Sequence, residues 1–230
     1  MKSIFTLILV AQLGADGLTL AAAPSVVLLA ETFEDYEVGT APTGWTVNHP
    51  ELMNATVEPN PEGGKALSLH KPEASDDSPL LLGPLLKDVP GSGIVCVKAR
   101  VMAMQDAAVG SLIIQAPGGT NNVVMNVGRS PMLTSNSLTG GFIRLPVEFK
   151  PGQWVDLLFR LDLDAKTYDA FVNGTLAASN VGYDLTTPGR SAFQIWFSFN
   201  RSSQGTFLLD NLEIVEGDVA PGASFKEKQQ

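Results

Sequence analysis

The acidic residues are the first candidates for chemistry, because two carboxyl groups held at a fixed spacing can cleave a glycosidic bond. Asp156 and Asp162 fall on the same side of the strand-like run 153–163, QWVDLLFRLDL. Six residues of strand separate them by about 20 Å, at a rise of about 3.3 Å per residue. That exceeds even the roughly 6.5–9.5 Å between the carboxyl groups of an inverting glycosidase. Asp164 is nearer to Asp162 but belongs to a turn, so the carboxylates do not favour a glycoside hydrolase.

A second kind of acid–base chemistry, that of a polysaccharide lyase, needs a cation beside the substrate carboxylate and a base such as Tyr, His or Lys. Residues of these types occur on several strand-like runs and would have to meet on one face of a sheet. The candidates are Lys98, Arg100, Arg160, Gln194, Tyr168 and His70. A lyase therefore stays open as an alternative, although His70 is better explained as a surface histidine than as a base.

Cys96 is the only cysteine of the chain, so the fold has no intramolecular disulfide. It lies inside the apolar run GIVCVKARV, where a small buried side chain is expected rather than a nucleophile. The chain has two histidines, His49 and His70, and no His/Cys cluster of the kind that binds zinc.

The elements that must position these residues are predicted to be strands. Short apolar or alternating runs follow one another, with turn sequences such as NPEGG, PGSG and TPGR between them. This order predicts an all-β, antiparallel two-sheet β-sandwich or barrel rather than alternating strands and helices. A chain of 230 residues, 44% of them hydrophobic, is long enough for a sizeable core. We predict one domain over residues 24–216 and a flexible polar tail over residues 217–230.

Alternation along three long runs assigns side chains to opposite faces. The predicted core positions are Val95, Val97, Ala99, Val101, Val155, Leu157, Phe159, Leu161, Phe193, Ile195, Phe197 and Phe199. The opposite positions mix charged, amide and aromatic side chains, which suits a hydroxylated ligand. The predicted ligand-binding residues are Arg100, Arg160, Gln194, Trp196 and Asn200. Trp196 would stack on the ligand and the others would form hydrogen bonds. The alternative is a solvated outer face.

The N-terminus has the pattern of an export signal. Lys2 precedes an apolar stretch from Ile4 to Leu13, and small residues follow it. The stretch is too short to span a bilayer, so we predict a signal peptide over residues 1–23, cut between residues 15 and 23. The product is expected to be secreted or periplasmic, with no membrane span. The formal net charge of −9 without a basic stripe argues against nucleic acid as a partner.

Three segments together resemble a known family: GQWVDLLFRLDLDAKTYDAFVNG, AFQIWFSF and GTFLLDNLEIVE. Their order is similar to that of the concanavalin A-like lectin and glucanase jelly rolls, particularly laminin G-like bacterial secreted domains. Trp154 at the start of a long strand and the hairpin Asn173-Gly174 match the pattern. The resemblance covers about residues 26–216 and implies a two-sheet jelly roll. The E-x-D-x-x-E strand of the glucanases is absent from this sequence.

The resemblance also implies a metal position, because sandwiches of this kind often bind calcium between an early acidic residue and an Asp of the last strand. Glu34 and Asp210 occupy those places in the sequence. Asp210 alternates with Leu208 and Leu212, so its carboxylate is expected to face inward or into a seam. There it needs a cation or several hydrogen-bond donors. Structural calcium and a hydrogen-bonded Asp without a metal are the two alternatives, and no other cofactor is required.

The function that these features indicate is an exported, lectin-like domain that binds a glycan without cleaving it. Two alternatives remain from other classes. One is a glycan-active enzyme on the same fold, most simply a polysaccharide lyase. The other is a structural or adhesion module of an exported assembly, because one fold of this kind serves many functions.

Overall fold

The structure is a computed structural model that describes residues 25–106, 108–117, 123–135, 141–182 and 192–220. Within these ranges the chain forms strands and connecting turns, with no helix. The strands are β1 (Val26–Glu31), β2 (Thr46–Val47), β3 (Asn54–Pro59), β4 (Lys65–Lys71), β5 (Leu80–Leu82), β6 (Ile94–Ala103), β7 (Gly110–Gln115), β8 (Val123–Val127), β9 (Met132–Ser135), β10 (Gly141–Arg144), β11 (Val155–Asp162), β12 (Thr167–Val172), β13 (Thr175–Gly182), β14 (Gln194–Phe199) and β15 (Gly205–Glu216).

The strands form two sheets. The eight-stranded sheet has the order β13-β12-β11-β6-β15-β4-β3, and β1 pairs with β15 beside that path. The seven-stranded sheet has the order β10-β9-β8-β7-β14-β5-β2. Neighbouring strands pair antiparallel in both sheets. The predicted all-β, antiparallel two-sheet β-sandwich is confirmed.

One large hydrophobic core lies between the sheets, and it contains the twelve core positions named above. Ala103, which alternation also places on this side of its strand, is partly buried against the core. Val97 and Phe159 from the eight-stranded sheet and Ile195 and Phe197 from the seven-stranded sheet all belong to it. Because successive side chains of a strand point to opposite faces, the other residues of β6, β11 and β14 lie on outer faces, turned away from the core. The two outer faces are on opposite sides of the sandwich.

The hairpin between β12 and β13 turns at Asn173 and Gly174, as the sequence predicts. Asn173 and Gly174 have φ angles of 48° and 75°, the positive values that a two-residue turn of type I′ requires at both central positions. The Asn173 side chain also accepts a hydrogen bond from the backbone N–H of Asp156, at 2.9 Å. The predicted hairpin is therefore present, and its residues have a structural role.

A β-bulge in β15 overturns the predicted orientation of Asp210. The pairing of β15 with β6 shifts between Asp210 and Glu213, where Asn211 has a φ of 48°. The extra residue reverses the alternation, so Leu212 is in the main core while Leu208 packs in a small cluster on the outer face. Asp210 consequently lies on the outer side opposite Arg100, where it is 6% exposed, and not in the core between the sheets.

Lys71, the last residue of β4, is a buried cation that the sequence analysis did not single out. It is on the same side of its strand as Leu67 and Leu69, and none of its surface is exposed. Its Nζ donates hydrogen bonds to the carbonyl oxygens of Asn200, Arg201 and Ser203 at 3.1, 2.7 and 2.9 Å. The lysine therefore ties the loop between β14 and β15 to the end of the sandwich.

The first residues of the predicted tail lie on the eight-stranded sheet. The backbone N–H of Gly217 donates to the carbonyl oxygen of Ile94 at 2.9 Å, and Asp218 binds Arg160. Cys96 on the same face has no exposed surface, and burial raises the pKa of its thiol to about 11. The predicted burial of Cys96 is confirmed, and the raised pKa disfavours the nucleophilic thiolate. The predicted signal peptide and residues 221–230 lie outside the described residues.

Candidate functional site

The five predicted ligand-binding residues do not lie on one face. Arg100 on β6 and Arg160 on β11 are on the outer face of the eight-stranded sheet. Gln194 and Trp196 on β14 are on the outer face of the seven-stranded sheet, and Asn200 follows the end of that strand. The whole core separates the two groups, so the expectation of a single shared face is wrong.

Arg100 is held by its own neighbours. Its Nε donates to Asp156 Oδ1 at 3.0 Å and its Nη2 donates to Glu62 Oε2 at 3.3 Å. Its guanidinium carbon lies 5.0 Å from the centre of the Trp154 ring, a distance typical of a cation–π contact. With two carboxylates and an aromatic ring as partners, this side chain is part of an ion-pair network rather than a free ligand group.

Arg160 is engaged in a similar way. It forms a fork with Asp218, with Nε to Oδ1 at 2.9 Å and Nη2 to Oδ2 at 3.1 Å. Its Nη1 also lies 3.8 Å from Asp169. The hydrogen bond that Arg160 donates to Asp218 is the largest cause that raises the pKa of Arg160. Arg160 therefore holds the segment after β15 through Asp218, instead of presenting a free guanidinium to a glycan as predicted.

Asn200 contributes mainly through its backbone. Its carbonyl oxygen accepts hydrogen bonds from Lys71 Nζ at 3.1 Å and from Ser203 Oγ at 2.8 Å. Its N–H donates to the carbonyl oxygen of Val109 at 3.1 Å. These bonds shape the loop that joins β14 to β15, close to the end of the strand that carries Trp196.

The outer face of the seven-stranded sheet has an apolar row at its centre. Trp196 lies directly opposite Leu82 on one side and Ile113 on the other, and Ile113 lies opposite Val124. All four side chains are half-buried. Four neighbouring strands about 4.8 Å apart make this row about 14 Å long. We refer to Leu82, Trp196, Ile113 and Val124 as the apolar row.

Neutral polar side chains flank the apolar row on both sides. On one side Ser111 lies between Ser198 and Asn126, and its Oγ donates to Asn126 Oδ1 at 2.7 Å. On the other side Gln194 lies opposite Gln115, and Gln194 Nε2 donates to the carbonyl oxygen of Gly83 at 2.8 Å. The face therefore combines amide and hydroxyl groups with apolar surface.

Among the described side chains of this face, three polar atoms are buried without a hydrogen-bond partner. They are Nε2 and Oε1 of Gln115 and Nε1 of Trp196. Gln115 has no exposed surface, although alternation places it on the outer face with Ser111 and Ile113. Buried polar groups are almost always hydrogen-bonded in folded proteins, so this amide marks the most unusual point of the face.

The two outer faces differ in charge. The strand positions on the outer face of the seven-stranded sheet whose side chains are described are Thr46, Leu80, Leu82, Ser111, Ile113, Gln115, Val124, Asn126, Met132, Phe142, Arg144, Gln194, Trp196 and Ser198. Among them only Arg144, on the edge strand β10, is charged. The eight-stranded sheet instead carries ion pairs such as Lys98–Glu213 and Arg100–Asp156 on its outer face. We refer to the first of these surfaces as the neutral face.

The residues considered for a lyase do not assemble. Tyr168 is 1% exposed and packs inside the sandwich against Phe159, with ring centres 6.4 Å apart. Burial raises its pKa above its ordinary value. His70 is on the outer face of the eight-stranded sheet with its Nδ1 3.0 Å from Thr206 Oγ1. Gln194 is on the opposite side of the molecule, so these groups cannot act on one substrate.

Asp210 has hydrogen-bond donors for both of its carboxylate oxygens. Its Oδ1 accepts from the N–H of Asn211 at 2.7 Å, and its Oδ2 accepts from Asn60 Nδ2 at 3.2 Å. Burial is the main cause that raises its pKa to about 6, and the charge of Glu34 adds to the rise. Glu34 itself accepts a hydrogen bond from the N–H of Lys65 at 2.8 Å.

Calcium prefers about 6–8 oxygen ligands, and the predicted pair of Glu34 and Asp210 supplies few. Among the described residues no group of three or more His, Cys, Asp or Glu side chains could hold a metal ion. Protein N–H groups already occupy the Asp210 oxygens. The arrangement thus fits a hydrogen-bonded carboxylate better than a calcium cage, and calcium at this place stays a prediction.

We expect wild-type protein to gain about 1 kcal/mol of stability over the Asp210→Asn variant when the pH falls from about 7 to about 5. The pKa of Asp210 is raised in the folded state, so protonation favours folding. This stability is fully present below the unfolded pKa, near 3.8, and is lost as the pH rises through about 6. The difference amounts to about 2–4 °C in Tm for a domain of this size. Thermal unfolding of both proteins across this pH range measures it.

The same unfolding experiment tests calcium. If calcium binds at Glu34 and Asp210, adding it at neutral pH raises the Tm of the wild type and leaves Asp210→Asn unchanged. Parallel pH profiles of the two proteins would contradict the raised pKa of Asp210.

The most unusual residue of the neutral face, Gln115, was missed by the sequence analysis. The run GSLIIQAP, one of the short apolar runs of the sequence, contains β7, but apolar residues occupy both faces of this strand. Alternation alone therefore did not tell Ile113 and Gln115 from the core residues Leu112 and Ile114. Only the pairing of β7 with β14 places them beside Trp196.

Comparison with known proteins supports the fold. No family model and no curated protein sequence matches this chain. Among solved structures, a carbohydrate esterase from the Shiga toxin-encoding bacteriophage phi24B is similar, with 16% identity and a TM-score of 0.62 over 85% of this chain and 100% of that chain. Domain 4 of an extracellular arabinanase from Geobacillus stearothermophilus, in complex with arabinotriose, has 19% identity and a TM-score of 0.55 over 86% and 95%.

Peanut lectin is also similar, with 13% identity and a TM-score of 0.55 over 86% of this chain and 100% of that chain. The class of protein is thus an antiparallel β-sandwich with the predicted concanavalin A-like fold. At these identities the comparisons define the fold and do not by themselves define a ligand. Among the described residues, no helix has the length and apolar character needed to cross a membrane.

Proposed function

We propose that this protein is an exported, lectin-like domain that binds a glycan on the neutral face. The observation that carries the proposal is the apolar row, with Trp196 at its centre and amide and hydroxyl side chains on both flanks. Peanut lectin and an arabinanase domain in complex with arabinotriose have similar folds, which supports carbohydrate as the ligand class.

The chemistry of this face suits a sugar chain. A sugar ring has an apolar C–H surface that packs on an aromatic ring, and hydroxyl groups at its rim that need fixed polar partners. Trp196 supplies the first, and the half-buried side chains of Asn126 and Gln194 supply the second. Because the apolar row crosses four strands, the ligand is an oligosaccharide or polysaccharide rather than one sugar.

The residue types at the described strand positions of the neutral face support binding without cleavage. General acid–base catalysis uses a positioned His, Glu, Asp, Lys or Tyr. The side chains at those positions are apolar, hydroxyl, amide or, at Arg144 alone, cationic. A neutral glycan therefore fits this face better than an acidic polysaccharide, and binding fits it better than cleavage.

Export is proposed from the N-terminal sequence. Lys2 and the apolar stretch from Ile4 to Leu13 have the order of a signal peptide. Protein recovered from the medium or the periplasm is expected to begin between residues 16 and 24, as determined by N-terminal sequencing. An uncleaved N-terminus on the exported protein would contradict the predicted processing.

The glycan proposal is tested with a glycan array and isothermal titration on the chain from residue 24. We expect binding to neutral polysaccharides that is almost insensitive to salt, since the described strand positions of the face carry one cation and little Coulomb attraction is available to be screened. Incubation with acidic polysaccharides, followed by ultraviolet absorbance, tests for the unsaturated products of a lyase.

Three outcomes would contradict this proposal. Binding only to acidic glycans at low salt would place the site on a charged surface, and unsaturated products would favour the lyase. Folded protein that binds no glycan would leave the structural or adhesion module as the better description.

A further inference from the structure

The unpartnered amide of Gln115 carries information about the ligand. Gln115 lies diagonally beside Trp196, because Trp196 pairs with Ile113, two residues earlier on β7. Side chains in this relation are within reach of each other when they are long. Both ends of the Gln115 amide and the indole N–H of Trp196 lack a partner, so three unused polar atoms occupy one small part of the neutral face.

Gln115 distinguishes this place from the rest of the described chain. Trp45 and Trp154 also have a buried indole N–H without a partner, but in each case a single group is involved. At Gln115 both the donor and the acceptor of an entirely buried side chain are unused. Such groups normally find a partner, so the partner here comes from water or from a bound molecule.

Among the unpartnered groups of Gln115 and Trp196, hydrogen-bond donors outnumber acceptors. Gln115 Nε2 has two N–H groups and Trp196 has one, whereas Gln115 Oε1 is the single acceptor. Leu82, Ile113 and Val124 lie alongside as aliphatic surface. An unmodified sugar offers hydroxyl groups, but it has no methyl group to fill the aliphatic surface. An acetyl group offers both a carbonyl acceptor and a methyl group.

We propose that the glycan bound on the neutral face carries acetyl groups, and that Gln115 and Trp196 donate hydrogen bonds to the acetyl carbonyl oxygen. The methyl group packs on Ile113 and Val124. This inference rests on the proposed function and adds the class of sugar to it. Gln115 and the indole N–H of Trp196 are buried, so the acetyl group has to displace the groups that cover them before these hydrogen bonds form.

The experiment compares neutral ligands that differ in acetyl groups. Acetylated xylan is measured against the same xylan after saponification, which removes O-linked acetyl groups. N-acetylglucosamine oligomers are measured against glucose oligomers of equal length, which tests N-linked acetyl groups. In at least one pair we expect about tenfold tighter binding of the acetylated member, the size expected for a buried donor that gains its partner.

Two variants test the assigned donors. Gln115→Met keeps the shape of the side chain without its hydrogen-bonding groups, and Trp196→Phe keeps an aromatic ring without the N–H. Each is expected to reduce the acetyl preference, the ratio of the affinities for the acetylated and the unacetylated ligand, at least threefold. Gln153→Met, at an exposed glutamine outside the neutral face, is the matched control and keeps the full preference.

The outcomes separate this inference from the proposed function. Equal affinity within both ligand pairs would overturn the acetyl preference and leave glycan binding in place, with water as the partner of Gln115. An acetyl preference that survives both variants would overturn the assigned donors. If folded protein binds no member of either pair, the inference fails, and failure on the whole glycan array would overturn the proposed function as well.

Discussion

Replacing Lys71 with alanine is expected to lower the free energy of unfolding by about 3 kcal/mol, since hydrogen bonds from a charged donor contribute about 1.5–3 kcal/mol each and water replaces them only in part. The Nζ of Lys71 donates to three backbone carbonyl oxygens of the loop between β14 and β15, and the side chain is entirely buried. For a domain of this size the loss corresponds to about 10 °C in Tm. Denaturant unfolding monitored by tryptophan fluorescence measures the change.

Two further variants identify the cause of this loss. Lys71→Met keeps most of the apolar stem and removes the ammonium group, so it is expected to retain most of the destabilisation. Lys150→Ala removes an exposed lysine and is expected to change stability by less than about 0.5 kcal/mol. If Lys71→Met is as stable as the wild type, Lys71 contributes to the free energy of unfolding mainly through packing of its apolar stem, and the three hydrogen bonds contribute little.

The loop that Lys71 holds is close to the proposed site, because Asn200 directly follows β14. The same loop is joined to the segment after β4 by the hydrogen bond from the N–H of Ser75 to the carbonyl oxygen of Arg201, at 2.9 Å. An open depression of about 600 Å³ lies beside it, lined by Ala74, Ser75, Asp76, Arg201 and Ser202. Lys71 thus fixes the end of the strand that presents Gln194 and Trp196.

Alternation in the sequence was sufficient to predict the core, because a strand has a period of two and one side of each strand is buried. Val97 and Phe159 on one sheet and Phe197 on the other are all in the core as expected. The same rule failed at Asp210, where one extra residue at Asn211 reverses the alternation. A bulge of this kind depends on how the strand pairs with a distant strand, and the local sequence gives no information about that pairing.

The site was predicted only in part for a related reason. Alternation tells inside from outside, but it does not tell which of two sheets a strand joins. Arg100 and Trp196 were both correctly assigned to outer positions, yet they lie on opposite sides of the molecule. The partners that occupy Arg100 and Arg160 are far away in sequence, since Asp156 and Asp218 are 56 and 58 residues from them.

Gln115 shows the opposite failure. Its neighbours on β7 are apolar on both faces, so the local sequence did not mark the residue, and its importance depends on being opposite Gln194 and beside Trp196. Lys71 is similar, since KALSLHK ends in a lysine that any strand could expose to water. In both cases long-range pairing, rather than residue type, determines what the side chain does.

We expect Trp196→Ala to weaken glycan binding about 30-fold, whereas Trp154→Ala is expected to change the affinity less than twofold. A central tryptophan in a binding surface commonly contributes about 2 kcal/mol or more, and about 1.4 kcal/mol corresponds to a factor of ten. Trp196 is the only aromatic residue of the apolar row, so no neighbouring ring can replace it. Isothermal titration with the best glycan from the array measures both variants.

The two tryptophans form a matched pair because they differ mainly in which side of the sandwich they face. Both are half-buried, and both have an indole N–H without a partner. Trp154 lies under the guanidinium of Arg100 on the eight-stranded sheet, and Trp196 lies between Leu82 and Ile113 on the seven-stranded sheet. General damage to the fold would therefore appear in both variants, as a lower Tm and weaker binding. A loss confined to Trp196→Ala locates the glycan on the neutral face. A loss confined to Trp154→Ala would move the site to the outer face of the eight-stranded sheet and refute the proposed one.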